Sequence, residues 1–215
     1  MNFDTQVDAF QHHPLGQRFP DSPHAVCVSL PTMADVIGYE EKDPAVVETM
    51  KSGYPRFFLP EFVRQLAEHI ANEISSEPRD VLLVNSSRAA SELLAFIGLP
   101  SAKAEDEDGF AYIHFPQDPD TYKKAFNFLQ HTGCGISSRQ AEDLLLREGL
   151  LSSIFAEETV PADLAESTVH QNLSSIVGIP EDDILLCNSG MNAFYAAYLA
   201  ACEIQRPQGR VIWIQ

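Results

Sequence analysis

Apolar positions along this chain alternate between helical and strand-like spacing. Between residues 59 and 75 they recur every three or four residues, which predicts a helix with one face toward a core. Short apolar runs at 80–84, 110–115 and 184–187 predict buried strands, and the acidic stretch 105–109 predicts a loop. Periodicity and capping residues predict further helices at 43–50, 86–97, 118–131, 138–148, 163–177 and 191–204, with a last strand at 210–214.

A strand, an Asn-Ser turn and a helix follow one another twice, at 80–90 and at 183–193. This repeated order is explained either by the preference for Asn and Ser as helix caps or by an internal duplication. The alternation of helices and strands predicts an α/β fold. We expect an extended arm over residues 1–24, a small N-terminal α/β domain over 25–150, and the beginning of a larger domain over 151–215. The apolar strand at 184–187 must then be buried against another element, which is either the sheet of the first domain or a second copy of the chain.

The second Asn-Ser turn has the features of an anion site. Gly190 allows close approach to the backbone, the first N–H groups of the following helix point outward, and the helix dipole adds partial positive charge. Ser189 is expected to cap that helix. The alternative interpretation is an ordinary helix cap without a ligand.

Composition narrows the set of partners. The formal net charge of −17 repels nucleic acid and anionic membranes, so neither is expected as a partner. Neither a long apolar run nor a signal-like N-terminus is present. The four cysteines are far apart and the histidines lack metal-ligand spacing, so we expect a reduced, cytoplasmic chain and no metal site.

Three further segments accompany Ser189-Gly190-Met191: Val28–Thr32 with Gly38–Glu41, Gly53–Phe58, and Gln130–Arg139. This ordered set resembles the long-N-terminus cystathionine gamma-synthases typical of fungi, within the Cys/Met-metabolism family of pyridoxal 5′-phosphate-dependent enzymes. The resemblance extends over about residues 25–215. It implies that residues 151–215 begin the large domain of a fold-type-I transferase, in a homo-oligomeric enzyme.

The resemblance also implies a reaction, in which the sulfur of cysteine replaces the acyloxy group of an O-acyl-homoserine to give cystathionine. Gly190 and Met191 would donate backbone N–H groups to the cofactor phosphate, with Ser189 as helix cap and hydroxyl donor. The family's phosphate-binding arm motif does not precede Ser189. Ser138 and Arg139 are the expected substitute, although Ser137 or Ser138 can equally be only the N-cap of helix 138–148. A rival is Arg56, whose alternative role is in a surface turn.

No residue of this chain is assigned a catalytic role. In the family, the lysine that holds the cofactor and the acid beside its pyridine nitrogen lie well downstream of Ser-Gly-Met. All five lysines are expected to be solvated surface charges. We therefore expect the chain to be the N-terminal part of such an enzyme and to be inactive alone. The alternative is a non-catalytic α/β binding or oligomerisation module, in which both Asn-Ser turns serve only as caps.

Overall fold

The computed structural model describes residues 13–53, 58–107 and 109–206, which divide into two compact units. Of these residues, the first unit contains 13–130 and 135–155. The second unit contains 131–134 and 156–206. Each unit has its own architecture, and the fold is mixed α/β as the sequence predicts.

The first unit is built on a three-stranded antiparallel sheet with strand order β1–β3–β2. Its strands are β1 (Arg79–Val84), β2 (Lys103–Glu107) and β3 (Phe110–Pro116). The strands predicted at 80–84 and 110–115 are confirmed. The prediction of a loop at 105–109 is wrong, because the residues up to Glu107 pair with β3 and form an edge strand. An edge strand exposes its side chains to water, so an acidic sequence is compatible with it.

Six helices accompany this sheet in the described chain. The predictions at 43–50, 59–75, 86–97, 118–131 and 138–148 are confirmed to within a few residues. The first helix was not predicted; it begins at a capping box, in which the Thr32 hydroxyl accepts from Asp35 N and Thr32 N donates to the Asp35 carboxylate. The helices are α1 (Met33–Glu40), α2 (Pro44–Val47), α3 (Glu61–Ile74), α4 (Ser87–Ile97), α5 (Pro119–Thr132) and α6 (Ser138–Arg147).

Helices cover both faces of the sheet. Successive side chains of a strand point to opposite faces. Phe110 and Tyr112 of β3 therefore share one face, where they pack in a buried cluster with residues of α3 and α6 such as Leu66 and Leu145. Ile113 and Phe115 are fully buried on the opposite face, where α4 contacts the sheet. The first unit is thus a layered core with helices on each side.

A buried histidine makes the stability of this core pH-dependent. Arg79 Nε donates a hydrogen bond of 2.9 Å to Nδ1 of His114. Burial, and next the charge of Arg79, lower the pKa of His114 below its ordinary value of 6.5. The unfolded chain therefore takes up the proton first as pH falls. The stabilisation is complete above about pH 6.5 and is lost as the pH drops toward the lower pKa of the folded state.

We expect His114→Gln to flatten this part of the stability profile. The check is the free energy of unfolding in urea, measured for both proteins at intervals between about pH 7.5 and pH 5. Arg79→Gln should also reduce the slope, since it removes the second cause of the pKa shift. An equal slope in the parent and His114→Gln proteins would contradict the prediction.

The second unit contains two long helices and, in its described part, no strand. They are α7 (Ala162–Val177) and α8 (Gly190–Gln205), joined through a short 3₁₀ turn at Glu181–Asp183. The helices predicted at 163–177 and 191–204 are confirmed. The strand predicted at 184–187 is wrong, and with it the idea that this segment joins the first sheet: its backbone is irregular and Leu185 is 90% exposed. The strand predicted at 210–214 lies outside the described residues.

Candidate functional site

Three of the predicted site residues form the start of α8. Ser189 is the N-cap, and its Oγ accepts a hydrogen bond of 3.0 Å from Asn192 N. Gly190 and Met191 follow as the first two residues of a 16-residue helix. This geometry arises locally, because a Ser side chain before a helical segment satisfies one of its unpaired N–H groups.

Two N–H groups at this helix start remain available. The backbone N–H groups of Gly190 and Met191 have no acceptor within the described chain. A Cβ atom added to Gly190 would meet nothing within 4 Å apart from its own chain neighbours and helix backbone, so open space adjoins this residue. Unpaired donors, the positive end of a helix dipole and room for a ligand are what an anion such as a phosphate requires.

A distant loop of the same unit holds this helix start in place. Ser189 Oγ donates to the carbonyl oxygen of Gly133 at 3.1 Å, and Asn192 Nδ2 donates to that of Thr132 at 3.2 Å. Gly133 has a φ of +62°, and a Cβ on it would lie 2.5 Å from Ser189 Oγ and 2.8 Å from Asn192 N. Only glycine fits there without displacement. The Ser189 hydroxyl thus donates its hydrogen bond to Gly133 in this structure, and its expected role as a donor to the cofactor phosphate stays a prediction.

The other two predicted residues lie in the first unit. Of the two N-cap alternatives, the structure selects Ser137, whose Oγ accepts from Gln140 N at 3.1 Å. Ser138 Oγ lies 3.0 Å from Nδ1 of His24, and Arg139 is exposed. Ser138 and Arg139 thus belong to a different unit from Ser189–Met191, and their role in phosphate binding stays a prediction. The rival Arg56 lies outside the described residues.

His24 centres a buried polar network that sequence analysis missed. Its Nε2 lies 3.2 Å from Glu142 Oε2, and the two side chains are only 1% and 7% exposed. The other oxygen of Glu142 accepts from Phe155 N at 2.8 Å. Buried polar groups need such partners, and this set ties residues distant in sequence to the first turns of α6. His24 stands in the Pro- and His-rich arm, where no local pattern marks it.

All the lysines of the chain lie at the surface. Each of the five is exposed, and one, Lys124, donates to the carbonyl of Ile97 at 2.9 Å. The expectation that they are solvated charges is therefore confirmed. A lysine that bonds a carbonyl cofactor is normally desolvated or placed beside another cation, and that environment is not found around these five side chains. They are Lys42, Lys51, Lys103, Lys123 and Lys124.

The part of the chain that the structure describes contains neither a metal-binding cluster nor a helix that could cross a membrane. Within 13–53, 58–107 and 109–206, no group of three or more His, Cys, Asp or Glu side chains converges as a metal site. Over the same ranges, every helix is too short or too polar to cross a bilayer.

Comparison with known proteins identifies cystathionine gamma-synthase-like enzymes as homologues. The chain is 38% identical over 197 residues to the L-2-amino-4-chloropent-4-enoate dechlorinase/desaturase of Streptantibioticus cattleyicolor. It is 31% identical over 169 residues to the cystathionine gamma-synthase of Neurospora crassa, and 35% over 78 residues to that of Saccharomyces cerevisiae.

Each match covers a larger share of this chain than of the relative. They take in 91%, 64% and 36% of this chain, but only 39%, 27% and 12% of the respective relatives. The chain therefore spans well under half the length of each of these relatives. No family model matches the sequence, and no solved structure matches it.

Proposed function

We propose that this chain is part of a pyridoxal 5′-phosphate-dependent, cystathionine gamma-synthase-like enzyme and supplies the cradle for the cofactor phosphate. One observation carries the proposal: the Gly190 and Met191 N–H groups have no acceptor in the described chain, and open space adjoins Gly190. Homology along 91% of the chain with an enzyme acting on a 2-amino acid supports this assignment.

The residues at the start of α8 divide the work of binding. Gly190 and Met191 would donate their N–H groups to phosphate oxygens, in bonds that the anionic charge strengthens. Ser189 fixes the first turn by capping Asn192 N, and the carbonyl oxygen of Gly133 accepts a hydrogen bond from the Ser189 hydroxyl, so that the cap keeps its orientation. When bound, the cofactor would supply the electron sink for chemistry at the amino acid.

The relatives suggest a common substrate class. An O-acyl-homoserine carries its leaving group on carbon 4 of a 2-amino acid, and the S. cattleyicolor relative is named for a substrate with chlorine at position 4. We propose that the complete enzyme acts on a 2-amino acid with a leaving group on that carbon. The first candidate reaction is replacement of the acyloxy group on carbon 4 by the sulfur of cysteine, with the acyl group leaving as a carboxylate, as the cystathionine gamma-synthase relatives suggest. Removal of chloride is the second candidate, favoured by the higher identity and coverage of the dechlorinase match.

The chain alone is proposed to lack the covalent hold on the cofactor. All five lysines are exposed, and the relatives contain a much greater length of sequence than the chain matches. We propose that residues 25–150 and 151–215 correspond to the N-terminal domain and the beginning of the cofactor domain of a fungal-type enzyme. Contributions from Ser138 and Arg139, and assembly as a homo-oligomer, belong to the same proposal.

A cofactor titration tests this assignment. We expect the purified chain to bind pyridoxal phosphate weakly and without a stoichiometric lysine adduct, because an exposed ammonium is protonated and solvated. The measurement is the absorbance of lysine-bound cofactor during titration, followed by borohydride reduction and peptide mapping. Tight binding at one site with one lysine fully labelled would contradict the expectation that this chain lacks the anchoring lysine.

The same titration separates the proposal from the non-catalytic module. A phosphate cradle predicts that inorganic phosphate competes with the weak binding of pyridoxal phosphate, whereas pyridoxal itself binds less well. A module in which the Asn-Ser turn is only a cap predicts no competition. Failure of competition would therefore remove the cofactor role of Ser189–Met191.

A further inference from the structure

A cleft of about 380 Å³ opens beside the sheet of the first unit. Helix α3 packs on β1 and α6 packs on α3, whereas β2 pairs with β3 and contacts α4 on the opposite face. The helical layer therefore leaves the edge of the sheet uncovered. The floor of the cleft is apolar and includes Leu66, Ile70, Phe110 and Tyr112. Small-molecule sites commonly have this size and combine apolar surface with polar groups that orient the ligand.

The rim of the cleft is acidic. Glu107 lies opposite Phe110 in the strand register and so on the same face of the sheet. Glu73 of α3 and Glu148 after α6 also line the cleft. Among the described residues that line the cleft, the one permanent cation is Arg147, which is 2.5 Å from the carboxylate of Asp143. Carboxylates thus outnumber a cation that is already paired.

The effect of this acidic rim extends to the floor. Burial raises the pKa of Tyr112, and the charges of Glu107, Glu105 and Glu73 raise it further. The ring therefore lies in a negative potential. Aromatic faces in such surroundings attract cations.

His69, a residue that lines the cleft, has a ring nitrogen without a hydrogen-bond partner in the described chain. This nitrogen, Nε2, is buried. It lies 3.7 Å from Glu73 Oε1, which is too long for a hydrogen bond. Because Nε2 is buried, a ligand does not reach it directly, and the carboxylate of Glu73, which is 68% exposed, is the group that can accept from an ammonium.

We propose that this cleft binds a small organic cation with an apolar body. The cationic nitrogen pairs with Glu73 and is attracted by Glu107, and the apolar body lies on Phe110 and Tyr112. The inference is independent of the proposed cofactor role, because every residue involved belongs to the first unit and none is part of the α8 helix start.

Three probes of equal shape but different charge test the site on the full chain. They are protonated phenethylamine, neutral phenethyl alcohol and anionic hydrocinnamate, titrated at neutral pH with amide and His69 ring signals followed by NMR. We expect the amine to bind at least about fivefold more tightly than the alcohol, the anion not to bind, and the shifts to map to the cleft. Two partly exposed charge pairs account for a preference of this size.

Variants of the rim complete the test. Glu73→Gln and Glu107→Gln should each weaken amine binding about threefold and leave alcohol binding unchanged. Glu68→Gln is the matched control, since Glu68 is an exposed residue of α3 that does not line the cleft. The proposal would be overturned if the amine and the alcohol bound equally well, or if the shifts were confined to α7 and α8. It would also be overturned if a variant carrying both Glu73→Gln and Glu107→Gln bound the amine as tightly as the parent.

Discussion

Replacement of Gly133 by valine should destabilise the second unit by about 2–6 kcal/mol. Two costs add: a β-branched residue at φ +62° is strained by about 1–3 kcal/mol, and its overlap with Ser189 and Asn192 costs about 1–3 kcal/mol more. The overlap involves the Ser189 hydroxyl and the Asn192 backbone, so relief requires the loop to leave the start of α8. We expect lower midpoints in urea unfolding and faster hydrogen exchange at the first turn of α8.

Gly178→Val is the matched control for the strain alone. Gly178 ends α7 with φ +70°, but a Cβ there would meet nothing within 4 Å. This variant should therefore lose only the conformational part, and its α8 amides should exchange as in the parent protein. If Gly133→Val were no more destabilised than Gly178→Val, the close packing of the loop on α8 would be refuted.

Local signals explain why most helices could be predicted from sequence. Ser86, Ser137 and Ser189 each cap the helix that follows, through a hydrogen bond to the backbone three residues on. Such a bond depends only on neighbouring residues, so the sequence shows it. The capping box of Thr32 and Asp35 is an equally local signal, and it marks the start of α1.

Strands are harder to predict from sequence than helices, because a strand depends on a partner that is distant in sequence. The apolar run 184–187 has the composition of a strand, but no strand pairs with it in the described chain, and its backbone is irregular. The acidic segment of β2 has the opposite composition and is nevertheless a strand, since β3 provides its hydrogen bonds. Strand composition reflects burial and neighbours more than an intrinsic backbone preference.

In the candidate site, too, local features can be predicted from sequence and long-range contacts cannot. Ser189-Gly190-Met191 is a contiguous motif whose N-cap geometry follows from its own residues. The hydrogen bond from Ser189 to Gly133 spans 56 residues, and the contact between His24 and Glu142 spans 118. No spacing rule connects such pairs. Glycine within the motif-like segment 130–139 was the only available sign that Gly133 has a structural role.

The central claim, that the start of α8 is a phosphate cradle, predicts a strong effect of Gly190→Val. Because a Cβ at Gly190 would meet nothing within 4 Å apart from its own chain neighbours and helix backbone, this variant should fold as the parent does while its side chain fills the space beside the donors. Loss of charge-assisted hydrogen bonds to an anion is worth roughly 1.5–3 kcal/mol, so phosphate affinity should fall by about tenfold or more. Ala193→Val, one turn further along the exposed surface of α8, is the matched control.

The decisive measurement is an NMR titration of the parent chain and both variants with inorganic phosphate and then with pyridoxal phosphate. We predict saturable shifts of the Gly190 and Met191 amides in the parent and in Ala193→Val, with affinity reduced about tenfold or more in Gly190→Val. Amides that do not respond to either ligand, or equal affinity in Gly190→Val and the parent, would contradict the phosphate role on which the proposed function depends.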